Sequence, residues 1–287
     1  MDLVFIQLLN GVQYGLLIFL AASGLTLIFG IMGVINLSHG SFYMLGAYGA
    51  LTLTAFTGDI FLALLIGVPL AFVFGIVIEW LFIRHLYDRD HLQQVLLTFA
   101  LILIFNEAQK LLWGSYPHSV PIPSYLQGGV KISALLTYPY YRIAVAAFCV
   151  ALALLMVFVI QKTRVGRIIR AGESNREMVE ALGIDSRLLF RFVFAAGVAL
   201  AATAGIVAAP LESVYPGIGE PILIISFVVV VIGGIGSVKG AFIGAILIGV
   251  ADALGKVYFP AFSSSVVYAL MAAVLIARPG GLFGRAA

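Results

Sequence analysis

Long apolar stretches separated by short polar breaks follow one another along the chain. They lie near residues 5–29, 40–57, 60–83, 92–113, 142–161, 188–210, 222–234, 240–258 and 263–278. Most approach the roughly 20 residues that a membrane-spanning helix needs, whereas the seventh and ninth are short and are expected to be re-entrant or broken. The pattern predicts an all-α protein, a polytopic transmembrane helix bundle of eight or nine spans.

The composition supports this interpretation. Hydrophobic residues make up 62% of the chain and charged residues 10%, whereas soluble domains are about 45–50% apolar. We expect one transmembrane domain over residues 1–287. The first stretch is too long for the apolar core of a cleavable signal peptide. The single cysteine in the sequence, Cys149, excludes an intramolecular disulfide.

The basic residues predict an orientation. Residues 162–191 hold seven of the sixteen Lys and Arg residues, and loops rich in these residues face the cytoplasm. Alternating nine spans from this loop places twelve basic residues inside and four outside or at the outer boundary. The amino terminus is then outside, the carboxyl terminus is cytoplasmic, and an external loop covers about 114–141. This clustering indicates a topology signal and argues against a nucleic-acid surface.

The basic loop, about 162–187, contains the charged passage AGESNREMVEALGID. Ser174 is a good N-cap, Glu177 completes a capping box, and Gly183 supplies a left-handed stop. These signals predict a two-turn helix over about 175–182. Its apolar residues share one face: Met178, Val179 and Leu182. So short a helix needs a surface to rest on, either its own membrane domain, lipid headgroups or a cytoplasmic partner.

Polar residues in the apolar stretches give the candidate path or gate. Gln7, Asn10 and Tyr14 fall on one side of the first helix, where they either line a path or hydrogen-bond to neighbouring helices. Two segments, INLSHGSF at 35–42 and IGSVKGAF at 235–242, share Ile, Gly and Phe in register, which suggests a duplicated half with broken helices. Their candidates are Asn36, Ser38, His39, Gly236 and Gly240. The alternative for these segments is tight turns at the cytoplasmic surface.

The acidic residues argue against two other function classes. Glu107 has Lys110 three residues on, Asp252 has Lys256 four residues on, and Glu79 lies near the inner boundary, where we expect water to reach it. An ion-coupled secondary transporter would need carboxylates or histidines in mid-membrane. An intramembrane enzyme would need a nucleophile with its base, or a set of metal ligands, and the sequence shows no pattern of either kind. We therefore expect a protein that is not an enzyme.

Several motifs resemble one family. TRVGRIIRAGESNREMVEALGID, VVVVIGGIGSVKGAFIGAILIG and GVINLSHGSFYMLGAYGA are similar, in the expected order, to the LivH-type permease subunits of branched-chain amino acid ABC importers. The resemblance covers essentially the whole chain. It implies a cytoplasmic coupling helix that sits in a cleft of an ATPase subunit. The residues that match the family in this loop are Gly166, Arg170, Asn175, Arg176, Ala181, Leu182 and Gly183. We therefore expect the contact with the ATPase to comprise Ser174, Asn175, Arg176, Glu177, Met178, Val179, Glu180, Ala181, Leu182 and Gly183.

The resemblance also implies an assembly. This chain would join a second related permease, two ATP-binding cassette ATPase subunits and a periplasmic amino-acid-binding protein in a bacterial inner membrane. The sequence lacks the Gly-x-x-x-x-Gly-Lys-Ser/Thr phosphate loop, so ATP and Mg²⁺ are expected on the ATPase and no cofactor or metal on this chain. Hydrophobic amino acids are the expected substrates, with urea, amides or other amino acids as alternatives within the importer class.

Overall fold

The computed structural model describes residues 2–87, 89–133, 136–174, 176–181 and 183–284. The α-helices in these ranges are α1 (Asp2–Met32), α2 (His39–Thr57), α3 (Ile60–Leu81), α4 (His91–Trp113), α5 (Tyr140–Lys162), α6 (Arg164–Ser174), α7 (Arg176–Ala181), α8 (Ser186–Ala208), α9 (Gly219–Gly233), α10 (Val238–Tyr258) and α11 (Ser263–Ala277). Strands β1 (Gly129–Ser133) and β2 (Leu136–Pro139) form an antiparallel hairpin. Short 3₁₀ helices lie at Ile83–Leu86, Ser124–Leu126 and Pro260–Phe262.

The long apolar helices coincide with the predicted stretches. Within the described ranges, six of them are long and apolar enough to cross a membrane: α1, α3, α4, α5, α8 and α10. Helices α9 and α11 have 15 residues each and reach about 22 Å, less than the roughly 30 Å of a bilayer's hydrocarbon core. The chain is a multi-pass helical membrane protein, as the sequence predicts.

Polar side chains fix where several helices begin. The Asp59 carboxylate accepts hydrogen bonds from the first turn of α3, and the Asp185 carboxylate does the same for α8. The Ser237 hydroxyl accepts one from Gly240 N in α10. Each side chain satisfies backbone N–H groups that lack a partner within the helix. The polar breaks between apolar stretches are therefore true helix boundaries.

Helices α1 and α8 form the centre of the bundle. In their most apolar 18-residue windows, 83% and 78% of the residues are buried, against 17% in α3 and 22% in α5. Glycines in α1, and glycines and alanines in α8, allow close backbone approach. They cross where Gly24 meets Gly197. Helices α3, α4 and α5 lie outside them, with many large apolar side chains exposed.

The two ends of the bundle are defined by contacts between loops. At one end, Arg142 of α5 reaches Asn10 of α1, and Tyr125 donates a hydrogen bond to Asp59. We call it the hairpin end because it carries the segment that contains β1 and β2. At the other end, Arg191 of α8 pairs with Glu79 of α3, and α6 and α7 precede α8. We call this the α7 end.

The helix packing follows a pattern that occurs twice. Helix α1 runs antiparallel to α10, with Gly11 beside Gly249 and Gly30 beside Gly236, and α8 runs antiparallel to α3. Helix α1 begins at the hairpin end, whereas α8 ends there, because the segment that follows α8 pairs with the hairpin-end loop. The sets α1–α4 and α8–α11 are thus inverted relative to each other, as in many transporters.

Helices α2 and α9 begin inside the bundle. His39 Nε2, in the first residue of α2, lies 2.8 Å from the carbonyl oxygen of Ala21, in the middle of α1. A Cβ atom on Gly40 would lie 2.1 Å from the carbonyl oxygen of Gly219, the first residue of α9. The amino-terminal ends of two interrupted helices therefore meet in the interior, which supports the expectation of broken helices.

The packing pairs the two halves in a different register from the one that the sequence suggests. The residues 35–42 were matched with 235–242, but in the structure the start of α2 is equivalent to the start of α9 near Gly219. The 235–242 segment corresponds instead to the turn between α2 and α3. The match of Ile, Gly and Phe between the two segments is coincidental, because eight positions carry little information about register.

Two expectations about polar residues were wrong. Glu79 is not reached by water: its side chain is 1% exposed, its Oε2 lies 2.7 Å from Arg191 Nε, and its Oε1 accepts a hydrogen bond from Tyr87. His39 is not at a cytoplasmic surface, since it is 1% exposed within the bundle. Its position depends on the return of residues 33–38 into the protein, which periodicity does not reveal. The other two expected pairs, Glu107 with Lys110 and Asp252 with Lys256, are confirmed.

Candidate functional site

A polar cavity of about 250 Å³ lies at the hairpin end, between α1, α5, α10 and the segment that follows α8. Gln7, Asn10 and Tyr14 all line it, so the structure brings together the three residues that the helical period places on one side of α1. Leu17, one turn deeper, lines the same cavity. We call this space the hairpin-end cavity.

Arg142 contributes a cation to this cavity, and neutral groups hold it. Its Nη1 donates to Asn10 Oδ1 at 3.2 Å and to Gln13 Oε1 at 3.0 Å. Gln7 completes the network by accepting a hydrogen bond from Asn10. The polar side of α1 therefore binds a charged residue of α5, so Asn10 hydrogen-bonds to a neighbouring helix, which is one of the two roles expected for it. The same bonds hold the Arg142 charge at the cavity.

The opposite wall carries both signs of charge. Lys256 Nζ lies 2.6 Å from Asp252 Oδ2 and 5.5 Å from the centre of the Tyr14 ring. Glu212 lies in the segment between α8 and α9. Burial raises the pKa of the Glu212 carboxyl, while the charges of Lys256 and Arg142 oppose that rise. The cavity thus combines two cations and two carboxylates with three apolar residues, Leu17, Leu211 and Ala253.

The remaining predicted path residues lie elsewhere. At the start of α2, Asn36 and Ser38 are fully buried, and Asn36 Oδ1 accepts hydrogen bonds from Ser38 N at 3.1 Å and Ser38 Oγ at 2.6 Å. This arrangement shapes the turn that leads α2 into the bundle. The neighbouring His39 anchors that turn on α1. None of the three lines the hairpin-end cavity.

Gly236 and Gly240 belong to the turn between α9 and α10. Gly236 has a positive φ of 79°, a conformation in which Gly is favoured, and a Cβ on Gly240 would lie 1.9 Å from the carbonyl oxygen of Gly233. Gly236 also lines a second cavity, of about 490 Å³, together with the segment that follows α11. Close packing accounts for both glycines, while their proposed role at a gate stays a prediction.

The predicted charged helix is present as α7. Gly183 has a φ of 81°, and the hydrogen bond from Ile184 N to Val179 O at 3.2 Å closes the helix, so the predicted left-handed stop is confirmed. Val179 is 2% exposed, whereas Met178 is 58% exposed, so these two do not share a buried face. Asn175 and Leu182 lie outside the described residues, as do the side chains of Ser174, Arg176 and Glu177 on which the capping box depends.

Three features were missed by the sequence reasoning. Arg142 was counted only as a residue at the outer boundary, and Glu212 was not considered at all. Helix α6 was not predicted, although Val165, Ile168 and Ile169 alternate there with three arginines at helical spacing. That pattern is the signal of an amphipathic helix. The arginine in α5 carried no such signal, because only the fold brings it to α1.

Among the described residues, no group of three or more His, Cys, Asp or Glu side chains could hold a metal ion. The cavity's two carboxylates are accompanied by two cations, a donor set that does not suit a metal. The chemistry available at the cavity is therefore hydrogen bonding and charge pairing with a small polar solute.

Comparison with known proteins identifies the family. Residues 7–277 match the family described as "Branched-chain amino acid transport system / permease component". This chain belongs to that permease family. The permease is 32% identical to the high-affinity branched-chain amino acid transport system permease protein BraD of Pseudomonas aeruginosa, over 97% of this chain and 95% of that protein.

Other relatives of the permease include the corresponding LivH protein of Escherichia coli, 31% identical over 97% of this chain and 95% of that protein. A probable LivH permease of Methanocaldococcus jannaschii is 27% identical over 96% and 91%. No solved structure matches the permease significantly. The resemblance seen in the sequence motifs is thereby confirmed over the whole chain.

Proposed function

We propose that the protein is a permease subunit of an ATP-binding cassette importer and forms part of the path for branched-chain amino acids. The observation that carries this proposal is the near full-length match to relatives named as branched-chain amino acid transport permeases. The inverted helix sets and the interrupted helices α2 and α9 support it, since transporters use such features to open a path alternately to either side.

We further propose a single transmembrane domain over residues 1–287 with nine spans or partial spans. The α7 end is cytoplasmic, and the hairpin end faces outward. The basic residues around α6 and α7 support this orientation. In a bacterial inner membrane, the periplasmic binding protein would then deliver its solute at the hairpin end, beside the polar cavity. A second related permease completes the path.

Helix α7 is the proposed contact with the ATPase. It is a short helix that is tied to the bundle through buried Val179 and that ends at Gly183, while Met178 is directed outward. Helices α6 and α7 directly precede central helix α8, so a movement of α7 on the ATPase is passed along the chain to the centre of the bundle. ATP and Mg²⁺ belong to the ATPase in this proposal, and the permease carries no cofactor.

Copurification tests the proposed function. The tagged protein is isolated from its native membrane, its partners are identified by mass spectrometry, and ATPase activity is measured with and without leucine and the matching binding protein. Recovery of an ATPase and a second permease with leucine-stimulated hydrolysis is the expected result. A protein that purifies alone and transports solute in response to an ion gradient would contradict the importer.

The coupling helix is tested with two substitutions at one position. Met178→Asp places a charge on the proposed contact and should uncouple hydrolysis from uptake, whereas Met178→Leu keeps an apolar side chain of similar size and should leave uptake intact. Both variants should insert normally, because Met178 is exposed. Equal uptake by the two variants would argue against a contact at this position.

The orientation is tested with single cysteines in a Cys149→Ser background. Lys131→Cys lies on exposed β1 and Arg164→Cys on exposed α6. An impermeant thiol reagent should label the first in intact cells and the second only in inside-out vesicles. The opposite labelling would reverse the proposed topology.

A further inference from the structure

The hairpin-end cavity contains charges that the protein leaves unmatched. Among the described residues, no carboxylate oxygen lies within 4.0 Å of a nitrogen of Arg142, and no cationic nitrogen lies within 4.0 Å of the Glu212 carboxylate. Arg142 is bound instead by neutral amide oxygens of α1. By contrast, Lys256 and Asp252 neutralise each other at 2.6 Å. One cation and one anion therefore face the cavity without an ionic partner.

Arg142 is partly exposed and Glu212 is exposed, so a charged solute can reach both groups. A solute that brings an opposite charge and hydrogen bonds forms strong, charge-assisted bonds with such groups. Arg142 and Glu212 are close enough for their charges to interact but too far apart to form an ion pair. Because both residues line the same cavity of about 250 Å³, a small solute that carries both a negative and a positive group can contact the two together. The amide network on α1 holds the guanidinium in place, which lowers the cost of binding an anion there.

Three apolar residues complete the lining of the cavity, Leu17, Leu211 and Ala253. They offer an aliphatic side chain a surface without hydrogen-bonding groups. With a volume of about 250 Å³, the cavity is at or below the lower end of the size range of small-molecule sites. It suits a solute with few heavy atoms and excludes a large one.

We propose that the hairpin-end cavity binds the zwitterionic head group of a small aliphatic amino acid, with Arg142 pairing with its α-carboxylate and Glu212 with its α-ammonium group. Leu17, Leu211 and Ala253 then contact the side chain. The inference rests on the proposed function, because it supplies an entry station within this permease for the solute that the binding protein releases. A guanidinium can bind a carboxylate through two parallel hydrogen bonds, which a lysine cannot do in the same geometry.

The first experiment measures occupancy of the cavity. A single cysteine, Leu211→Cys in a Cys149→Ser background, is placed in the purified importer with its partner subunits, and its rate of labelling by a thiol reagent is followed. Saturating leucine should slow labelling about tenfold or more. Leucinamide lacks the carboxylate and isocaproate lacks the ammonium group, so neither should protect the cysteine comparably. Equal labelling rates with and without leucine would overturn the proposal.

The second experiment removes one charge at a time. Arg142→Gln and Glu212→Gln should each abolish protection by leucine and lower leucine uptake by reconstituted vesicles about tenfold or more, since each loses a charge-assisted bond. Glu107→Gln is the matched control: it removes a carboxylate near the same end of the bundle, in an exposed pair with Lys110, and should leave both readouts unchanged. Arg142→Lys keeps the cation and should retain part of the protection.

The outcomes separate this inference from the proposed function. Copurification of the ATPase with each variant shows that the assembly has formed. Suppose that the wild type takes up leucine and that both charge variants show the same uptake and the same cysteine protection as the wild type. This result would overturn the cavity proposal and leave the importer intact. Protection of the cysteine by leucine without leucine-dependent uptake in the wild type would support the cavity and contradict the proposed function.

Discussion

The buried pair of Glu79 and Arg191 gives the sharpest prediction about stability, because its two members differ in exposure. The side chain of Glu79 is 1% exposed and that of Arg191 is 30% exposed. Arg191→Gln leaves a carboxylate inside the protein with Tyr87 as its remaining hydrogen-bond donor. Removing one partner of a buried pair costs about 3–5 kcal/mol. Arg191→Gln should therefore be the more harmful of the two single substitutions.

Glu79→Gln should cost less, about 1–2 kcal/mol. Its amide oxygen still accepts from Tyr87, and the guanidinium of Arg191 can turn toward water at the α7 end. The double variant Glu79→Gln/Arg191→Gln buries no charge, so it should be more stable than Arg191→Gln alone. This order depends on the unequal burial of the pair and not on the mere loss of one ion pair.

The assay is thermal unfolding of the detergent-purified protein, followed by intrinsic fluorescence. At about 2–4 °C per kcal/mol, we expect Arg191→Gln to lower the Tm by about 10 °C and Glu79→Gln by about 4 °C. Lys110→Gln, in the exposed pair with Glu107, should change the Tm by less than about 3 °C. Equal losses for Arg191→Gln and Glu79→Gln, or a double variant less stable than both, would refute the reasoning.

Two further predictions concern α2 and the start of α3. Gly40→Ala should destabilise the protein by at least about 2 kcal/mol, because the new methyl group would lie 2.1 Å from Gly219 O. Gly49→Ala is the control, since Gly49 faces open space on the same helix, and it should be neutral or stabilising by up to about 1 kcal/mol. The Tm values of both variants check this prediction. The hydrogen bond from Tyr125, together with the α3 cap, holds the pKa of Asp59 below its usual 3.8. The ionised Asp59 therefore stabilises the fold fully at pH values above its usual pKa, and this stabilisation is lost as the pH falls through the lowered pKa. When the Tm is measured against pH, it should fall less in acid for Asp59→Asn than for the unsubstituted protein.

The sequence alone determined the fold class and the positions of the helices. A hydrophobic stretch of a given length can satisfy its backbone in lipid only as a helix, so the apolar stretches had to become helices. The polar breaks with Asp59, Ser237 and Gly183 marked true boundaries, since caps and left-handed stops act through neighbouring residues. The pairs Glu107–Lys110 and Asp252–Lys256 were predictable for the same reason: their spacing puts them on one helix face.

The tertiary structure decided which helices meet and where polar groups lie in depth. Hydropathy does not say that residues 33–38 and 209–218 return into the bundle, so it could not bury His39 or bring Gly40 to Gly219. It also could not pair Glu79 with Arg191, which are separated by 112 positions. The hairpin-end cavity likewise combines residues that the sequence grouped with residues that only the fold brings near. The helical period grouped Gln7, Asn10 and Tyr14, but Arg142 and Glu212 reach them only because α1, α5 and the end of α8 converge at one end of the bundle.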